Sequence, residues 1–435
     1  MSRVTAGRLL LLGASARALA RSALAAPSAR ARFPEGVVVL DYFGDADLER
    51  EPEARVAGIA RDFGLPRTTA GLGRAVLGLA AAGRRWDGLA YAGGVENRPG
   101  LLRRLARLVP LLGNDPAAVA AVRDPLRLFP YLESERILHA STPLLDAAPR
   151  DGRWLFKRRR GAGGSGVRDA TPGECRRPGE YLQAHLDGAP GSAAFVAGGG
   201  EARLLGASRQ IAGPATLAAL AAAPYRYAGN LAGPIGSLLV PAACAALQRA
   251  ASLIAVRFGL RGLNGIDYIL TAEGPAVIEV NPRFTASMEI LEEIASVSFF
   301  DLHLRALDGT LPRGRSATEA PRGGSPAAAA GWMGKGILYA DRAVTAPAPE
   351  TLEPLGVRDR PHRGEPFEAG QPLCTLIVTG SGGEDCLRRL EARAREVRPL
   401  FPPAPAESAA DRVIGSDPSL SRRTRTPWPL PARPW

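Results

Sequence analysis

The stretch Leu263–Thr285, LNGIDYILTAEGPAVIEVNPRFT, predicts a β-hairpin with polar side chains inside it. The first half is rich in Ile, Tyr, Leu and Thr, and an Ala-Glu-Gly-Pro segment separates it from a second apolar run. A three-residue turn centred on Glu273 would set Asp267 opposite Glu279, and Asn281 shares the strand face of Glu279. The hairpin therefore predicts two carboxylates and an amide oxygen on one patch.

Carboxylates gathered within an apolar hairpin cost free energy unless cations or hydrogen-bond donors share them. Hard oxygen ligands suit Mg²⁺, which takes one or two carboxylates and completes its coordination with substrate phosphates. We therefore predict that Asp267, Glu279 and Asn281 are metal ligands, with Mg²⁺ as the ion and Mn²⁺ as an alternative. The other interpretation is a surface hairpin whose acidic face is solvated or is neutralised by Arg283.

A basic, glycine-rich segment lies more than a hundred residues upstream of the hairpin. A predicted strand ends at Lys157, and Lys157 is one of only two lysines among 55 basic residues, which favours a role for its compact charge. The glycines that follow leave the backbone free to turn its N–H groups toward an anion. We predict that Gly161, Gly163, Gly164, Ser165 and Gly166 form an anion-binding loop that suits phosphate groups. The alternative is a flexible surface hairpin, because the segment lacks the GK[ST] ending of a P-loop.

The length of 435 residues is too great for one compact core, and two to four domains are expected. Predicted strands at 37–41 and 88–91 alternate with predicted helices, one of them around 53–62, and this alternation predicts a parallel, doubly wound sheet. Farther along the chain, an amphipathic helix is predicted at 241–258. We place an α/β domain at 1–113, a nucleotide and metal domain at 114–310, and a linker at 311–330. A small α+β module at 331–400 and a disordered tail at 401–435 complete the predicted organisation.

The net charge of +12 does not by itself indicate a nucleic-acid partner. The arginines are spread along the chain, and no basic stretch carries the interleaved aromatic residues of a single-strand binding groove. Four widely spaced cysteines without a CxxC pair predict a reduced, cytoplasmic protein with no zinc site. No stretch approaches the roughly 20 apolar residues of a membrane span, and Met1–Ala26 is a weak match to a signal or transit peptide.

The order and spacing of these motifs resemble the ATP-grasp superfamily over residues 8–310. The specific part is the run Glu-Val-Asn-Pro-Arg at 279–283, while the glycine loop and a Gly-Ala-Ser turn at 13–15 are supportive. The nearest likeness is to the carboxylate–amine ligase branch, related to biotin carboxylase, carbamoyl phosphate synthetase and tyramine–glutamate ligase. Residues 363–373 resemble the C-terminal part of that branch.

This resemblance implies a fold with α/β and α+β parts: a preATP-grasp parallel-sheet domain, a two-subdomain ATP-grasp fold and a small C-terminal α+β module. It implies ATP between the subdomains and Mg²⁺ at Asp267, Glu279 and Asn281. Lys157 would contact the phosphates and Arg283 would steady the transferred phosphoryl group, so these two are the predicted catalytic residues.

The resemblance also assigns the adenine contacts. Gln183 stands where the family places a side chain that faces adenine, and the backbone of Leu186 is the expected hinge contact. The family has an earlier lysine close to position 125, and this chain offers only Arg127 there. Asp187 is a weak candidate for a ribose contact.

The implied reaction joins a small-molecule carboxylate to an amine through an acyl phosphate, with ADP and phosphate as products. A role in cofactor biosynthesis and a homodimeric assembly are both left open. One alternative is an ATP-dependent carboxylase that uses bicarbonate and either a separate carrier or a small-molecule acceptor, because this chain has no lysine between methionines. A second is a non-catalytic nucleotide-binding regulator, which would require loss of metal-site residues that are all present.

Overall fold

The computed structural model describes residues 7–213, 224–312 and 331–404. Apart from their first few residues, the predicted linker at 311–330 and the predicted tail at 401–435 lie outside the described residues. The elements of the first part are β1 (Leu9–Leu12), α1 (Arg17–Ala25), α2 (Pro27–Arg32), β2 (Val37–Asp41), β3 (Ala54–Gly58), α3 (Ile59–Phe63), α4 (Thr69–Ala81), β4 (Gly88–Tyr91), a 3-10 turn at Val95–Asn97 and α5 (Pro99–Ala106).

These strands form a parallel sheet in the order β3-β2-β1-β4. Every residue of β1, β2 and β4 is buried, as expected for parallel strands covered by helices on both faces. The helix predicted around 53–62 is wrong in its first half, which is β3. Pairing of Ala54–Gly58 with β2 outweighs the local helical preference of this segment.

Two short helices connect this sheet to the rest of the chain, namely α6 (Pro116–Val122) and α7 (Pro125–Ser134). Each begins with proline after an aspartate whose side chain accepts a backbone N–H of the first turn. A small antiparallel sheet follows, ordered β6-β5-β7. Its strands are β5 (Trp154–Arg158), β6 (Val167–Ala170) and β7 (Glu180–Ala184).

The remaining elements are β8 (Ala189–Gly198), β9 (Glu201–Ala212), β10 (Tyr227–Ala232), a 3-10 turn at Ile235–Ser237, α8 (Pro241–Phe258), β11 (Gly262–Thr271), β12 (Gly274–Asn281), α9 (Met288–Ala295), α10 (Phe299–Leu307), β13 (Trp332–Tyr339), β14 (Val344–Thr345), α11 (Pro349–Leu352), a 3-10 turn at Glu353–Leu355, β15 (Pro366–Phe367), β16 (Pro372–Gly380), α12 (Gly383–Val397) and a 3-10 turn at Arg398–Leu400. Seven of these strands make one antiparallel sheet in the order β12-β11-β8-β9-β10-β13-β16. Strands β13 and β16 therefore extend this sheet, with β13 paired to β10.

Strand β8 shows how the large sheet separates two cores. Phe195 and its neighbours Ala193 and Ala197 pack with α8, whereas Ala194 and Val196 pack with α9 and α10. This alternation follows from the two-residue period of a strand. Because the helices α1 and α2 join the second core, the parallel sheet domain is packed against the large sheet.

A buried carboxylate, Glu289 of α9, links three parts of the chain. It accepts hydrogen bonds from Arg17 at 2.6 Å, from Lys335 at 2.6 Å and from Arg358 at 2.8 Å. Arg17 itself is 1% exposed and also donates to Asp359 at 2.8 Å. Burial alone would raise the pKa of Glu289, but the three cations hold it well below its usual range.

We predict that Glu289→Gln lowers the free energy of unfolding by about 3–5 kcal/mol at pH 7, because it leaves buried cations without their shared partner. The depressed pKa of Glu289 contributes stability that is present at neutral pH and is lost as pH falls below the usual carboxyl range. The deficit of the variant, measured by denaturant unfolding, should therefore shrink in acid.

Glu292 on the same helix is the matched control. Burial raises its pKa to about 8, so its ionisation destabilises the fold as pH rises toward 8. Glu292→Gln should gain stability relative to wild type between pH 5 and pH 8. Equal effects of the two substitutions across this pH range would contradict the assigned roles.

Candidate functional site

The hairpin β11–β12 pairs Asp267 directly with Glu279, as predicted. The predicted turn is wrong, because Thr271 pairs with Gly274 across a two-residue loop. The register then shifts by one residue at Ile278, which forms a β-bulge. Without this bulge Ile278 would stand opposite Asp267, and Glu279 would point to the other face of the sheet.

Asp267 lies in a network of amide donors. Its Oδ1 accepts from Gln210 at 2.9 Å and its Oδ2 accepts from Asn281 at 2.9 Å. Burial raises the pKa of Asp267, while hydrogen bonds from Ser192 and Asn281 and the nearby charges of Arg283 and Lys157 lower it in part. A further cation at this carboxylate would therefore be favourable.

Glu279 forms an ion pair with Arg123, the residue that ends α6. Arg123 also donates to the backbone oxygen of Gly161 and to Asn97, both at 3.0 Å. Arg127, which the sequence offered at the position of the family's first lysine, is exposed. Arg123 is therefore a site residue that sequence analysis missed, because its contacts with Glu279 and Gly161 arise only from tertiary packing.

Arg283 is held in one orientation by partners around its whole guanidinium group. It donates to Glu96 at 2.6 Å, to the backbone oxygen of Phe284 at 3.1 Å and to Asn281 at 3.2 Å. The Glu96 side chain is fully buried and also accepts the N–H of Gly94 at 2.7 Å. Sequence analysis missed Glu96, although it follows the glycine turn at the end of β4.

Lys157 is 8% exposed and donates to Gln183 at 3.0 Å. These two side chains lie on adjacent strands of the small sheet, β5 and β7. They face the hairpin across a cavity of about 290 Å³. The structure brings these predicted residues to that one cavity, which we call the hairpin cavity: Lys157, Gly163, Gly164, Gln183, Leu186, Asp267, Glu279, Asn281 and Arg283.

The glycine loop needs its glycines for two reasons. Gly163 and Gly164 have φ of +59° and +73°, which disfavours residues with a Cβ. A Cβ on Gly164 would also lie 1.7 Å from the backbone oxygen of Tyr225. The loop is tied to the large sheet, since the backbone N–H of Tyr227 donates to the oxygen of Gly163 at 3.0 Å.

A second cavity of about 600 Å³ lies between the parallel sheet domain, the glycine loop and the C-terminal strands, and we call it the interdomain cavity. The other predicted loop residues, Gly161, Ser165 and Gly166, line this cavity. Both cavities share the glycine loop and Arg283. Arg283 therefore stands where the two cavities meet.

The donor set of the hairpin fits a divalent ion that shares its coordination with phosphates. Within the described ranges, no group of three or more His, Cys, Asp or Glu side chains is placed to hold a metal. Asp267 and Glu279 supply two carboxylates, with the Asn281 amide beside them. Two carboxylates completed by substrate oxygens are the usual environment of Mg²⁺.

Residues 129–287 match the family described as the ATP-grasp domain. The predicted resemblance to the ATP-grasp superfamily is thereby confirmed for these residues. No curated protein matches the chain in sequence. In the described part of the chain, no helix has both the length and the apolar character that crossing a membrane requires.

Solved structures share the fold over nearly the whole chain. Biotin carboxylase from Campylobacter jejuni, in complex with β-γ-ATP, has a TM-score of 0.62 at 12% identity and covers 90% of this chain and 92% of its own. The biotin carboxylase domain dimer of Hydrogenobacter thermophilus 2-oxoglutarate carboxylase, with MgADP, ADP and bicarbonate, gives 0.60 at 12%, covering 88% and 89%. N5-carboxyaminoimidazole ribonucleotide synthetase from Thermotoga maritima gives 0.55 at 16%, covering 91% and 99%. The predicted fold class is confirmed.

The Glu96–Arg283 pair can be tested directly. Glu96→Gln should lower the free energy of unfolding by about 3 kcal/mol, because a buried guanidinium loses its counter-charge. Glu35→Gln is the control, since Glu35 pairs with Arg8 at the surface and should change stability by less than about 1 kcal/mol. Denaturant unfolding of both variants measures the difference, and a Glu96 variant as stable as wild type would contradict the assignment.

Proposed function

We propose that this chain is an ATP- and Mg²⁺-dependent ligase that joins a small carboxylic acid to an amine. The observation that carries the proposal is the junction of the two cavities at Arg283. The hairpin cavity offers a lysine, a glycine loop and two carboxylates, which suit a nucleotide and its metal. The interdomain cavity offers room for the reacting acid and amine beside the same arginine.

In the proposed reaction, a carboxylate oxygen of the substrate attacks the γ-phosphorus of ATP and the bond to ADP breaks. An amine that arrives as ammonium first loses one proton to solvent. Its nitrogen lone pair then attacks the acyl carbon, the bond to phosphate breaks, and the nitrogen loses a second proton to solvent. Lys157 and Arg283 offset the negative charge of the transferred phosphoryl group. Because Arg283 is already held by Glu96 and Asn281, it needs no reorientation during the transfer.

Asp267, Glu279 and Asn281 would hold the metal, which when bound would supply positive charge against the phosphates. Binding would require Glu279 to share its carboxylate between the ion and Arg123. Gln183 and the backbone of Leu186 keep their proposed roles at adenine, since both line the hairpin cavity. We infer that Arg123 acts near the phosphates, where the family has its first lysine.

A carboxylase that uses bicarbonate is the second candidate, and the shared fold with biotin carboxylases favours it. The volume of the interdomain cavity favours a larger acid than bicarbonate. Phosphate release with bicarbonate as the only acid, compared with release in a pool of carboxylic acids, separates the two. We also infer a cytoplasmic location from four free cysteines, and we leave a homodimer open because one structural neighbour is described as a dimer.

Glu279→Gln should lower phosphate release by about 100-fold or more, because the site loses one metal carboxylate. The assay uses pools of carboxylic acids and amines, with hydroxylamine added to trap the acyl phosphate as a hydroxamate. Glu273→Gln is the matched control, since it removes the same charge from the exposed loop of the same hairpin and should leave turnover unchanged. Undiminished turnover by Glu279→Gln would overturn the metal assignment.

Lys157→Met should weaken ATP binding by at least about tenfold, because it removes a buried positive charge from the phosphate end of the site. Calorimetric titration with ATP measures the affinity, and thermal melting without ATP measures the fold. The loss of affinity should exceed any change in melting. A variant that binds ATP as wild type does would show that Lys157 is not a phosphate ligand.

A further inference from the structure

The charged side chains around the interdomain cavity are of two kinds. Most of its deep cations are paired, since Arg17 and Lys335 bind Glu289 and Arg67 binds Glu365. Asp45 differs from these groups. It is 2% exposed and lines the cavity, and its Oδ2 has no hydrogen-bond partner within the described ranges.

The acids around Asp45 are satisfied by donors. Asp41 accepts three backbone N–H groups, including that of Gly44 at 2.6 Å. Asp47 accepts two backbone N–H groups, including that of Arg360 at 3.0 Å. Asp359 is bound by Arg17. A buried carboxylate oxygen without a donor costs free energy, so Asp45 calls for a partner that the fold itself does not supply.

We propose that Asp45 binds the ammonium group of the amine substrate inside the interdomain cavity. This rests on the proposed ligase function and names a residue for its second substrate. Burial and the neighbouring carboxylates raise the pKa of Asp45 well above its usual range, and a bound ammonium group would counter both effects.

The walls beside Asp45 define the class of amine further. Phe43 and Phe367 stack at 6.4 Å between ring centroids, and Leu373 and Ile337 lie along the same cavity. A primary amine with an apolar body matches an acid surrounded by such walls.

Positive side chains without an acidic partner also line this cavity. Arg98, Arg158 and Arg160 line it, and no described carboxylate lies within ion-pair distance of them. These arginines, together with Arg283, suit the anionic groups of the reaction. The cavity thus offers both an ammonium site at Asp45 and anion sites near the glycine loop.

Calorimetric titration of the full chain with hexylamine and with 1-hexanol tests the proposal. The two probes share a six-carbon chain, and hexylamine carries an ammonium group where 1-hexanol carries a hydroxyl group. Wild type should bind hexylamine at least about tenfold more tightly than 1-hexanol. In Asp45→Asn this preference should fall below about twofold. Glu53→Gln removes a carboxylate from an exposed position outside the cavity lining and should keep the wild-type preference. No preference in wild type, or an unchanged preference in Asp45→Asn, overturns the proposal.

Thermal melting distinguishes a substrate-binding role of Asp45 from a structural role, because the two roles predict opposite shifts in the melting temperature of Asp45→Asn. Asp45→Asn should melt at or above the wild-type temperature at pH 7, because it replaces a buried carboxyl group that has an oxygen without a hydrogen-bond donor. A lower melting temperature would show that Asp45 supports the fold and would overturn its assignment to the substrate. The hydroxamate assay on wild type tests the ligase function separately, since it needs no amine bound at Asp45.

Discussion

The shared ion pairs of Glu289 are the interaction on which the arrangement of the chain depends. One buried carboxylate of α9 binds cations from α1, from β13 and from the loop before β15. Each of these segments borders the interdomain cavity or lies next to a residue that does. Because a buried charge tolerates little displacement from its partners, the cluster fixes the parallel sheet domain, the large sheet and the C-terminal strands around that cavity.

The two proposed catalytic cations, Arg283 and Lys157, differ in how fully the protein occupies their hydrogen-bond donors. Arg283 is fully engaged by Glu96, Asn281 and the backbone, so its partners set its position before any ligand binds. Lys157 has only Gln183 as a hydrogen-bond partner among the described residues and keeps donors for another group. A site built in this way presents preorganised positive charge, which is the most effective form of electrostatic stabilisation.

Local patterns predicted the elements and the main acids of the site, but not the contacts between distant segments. The strands at 37–41 and 88–91 and the helix at 241–258 were predicted with the bounds that the structure shows. The pairing of Asp267 with Glu279 was also right, although a bulge at Ile278 produces it rather than a longer turn. Glu96 and Arg123 reach the site only through tertiary packing, so no local spacing could have marked them.

Two buried acids, Asp267 and Asp45, also differ in how far hydrogen-bond donors of the protein satisfy them. Burial raises the pKa of both carboxyl groups, and each lines a different one of the two cavities that meet at Arg283. Asp267 is partly satisfied by amides, which suits a metal ion that also binds phosphates, whereas Asp45 has an oxygen with no donor at all in the described structure. Acid, cation and acid therefore follow one another through the site. In the proposed reaction, Asp267 would face the metal-bound phosphates, Arg283 the transferred phosphoryl group and Asp45 the ammonium group. The chemistry therefore explains why the protein buries two acids at a cost in free energy that the fold itself does not require.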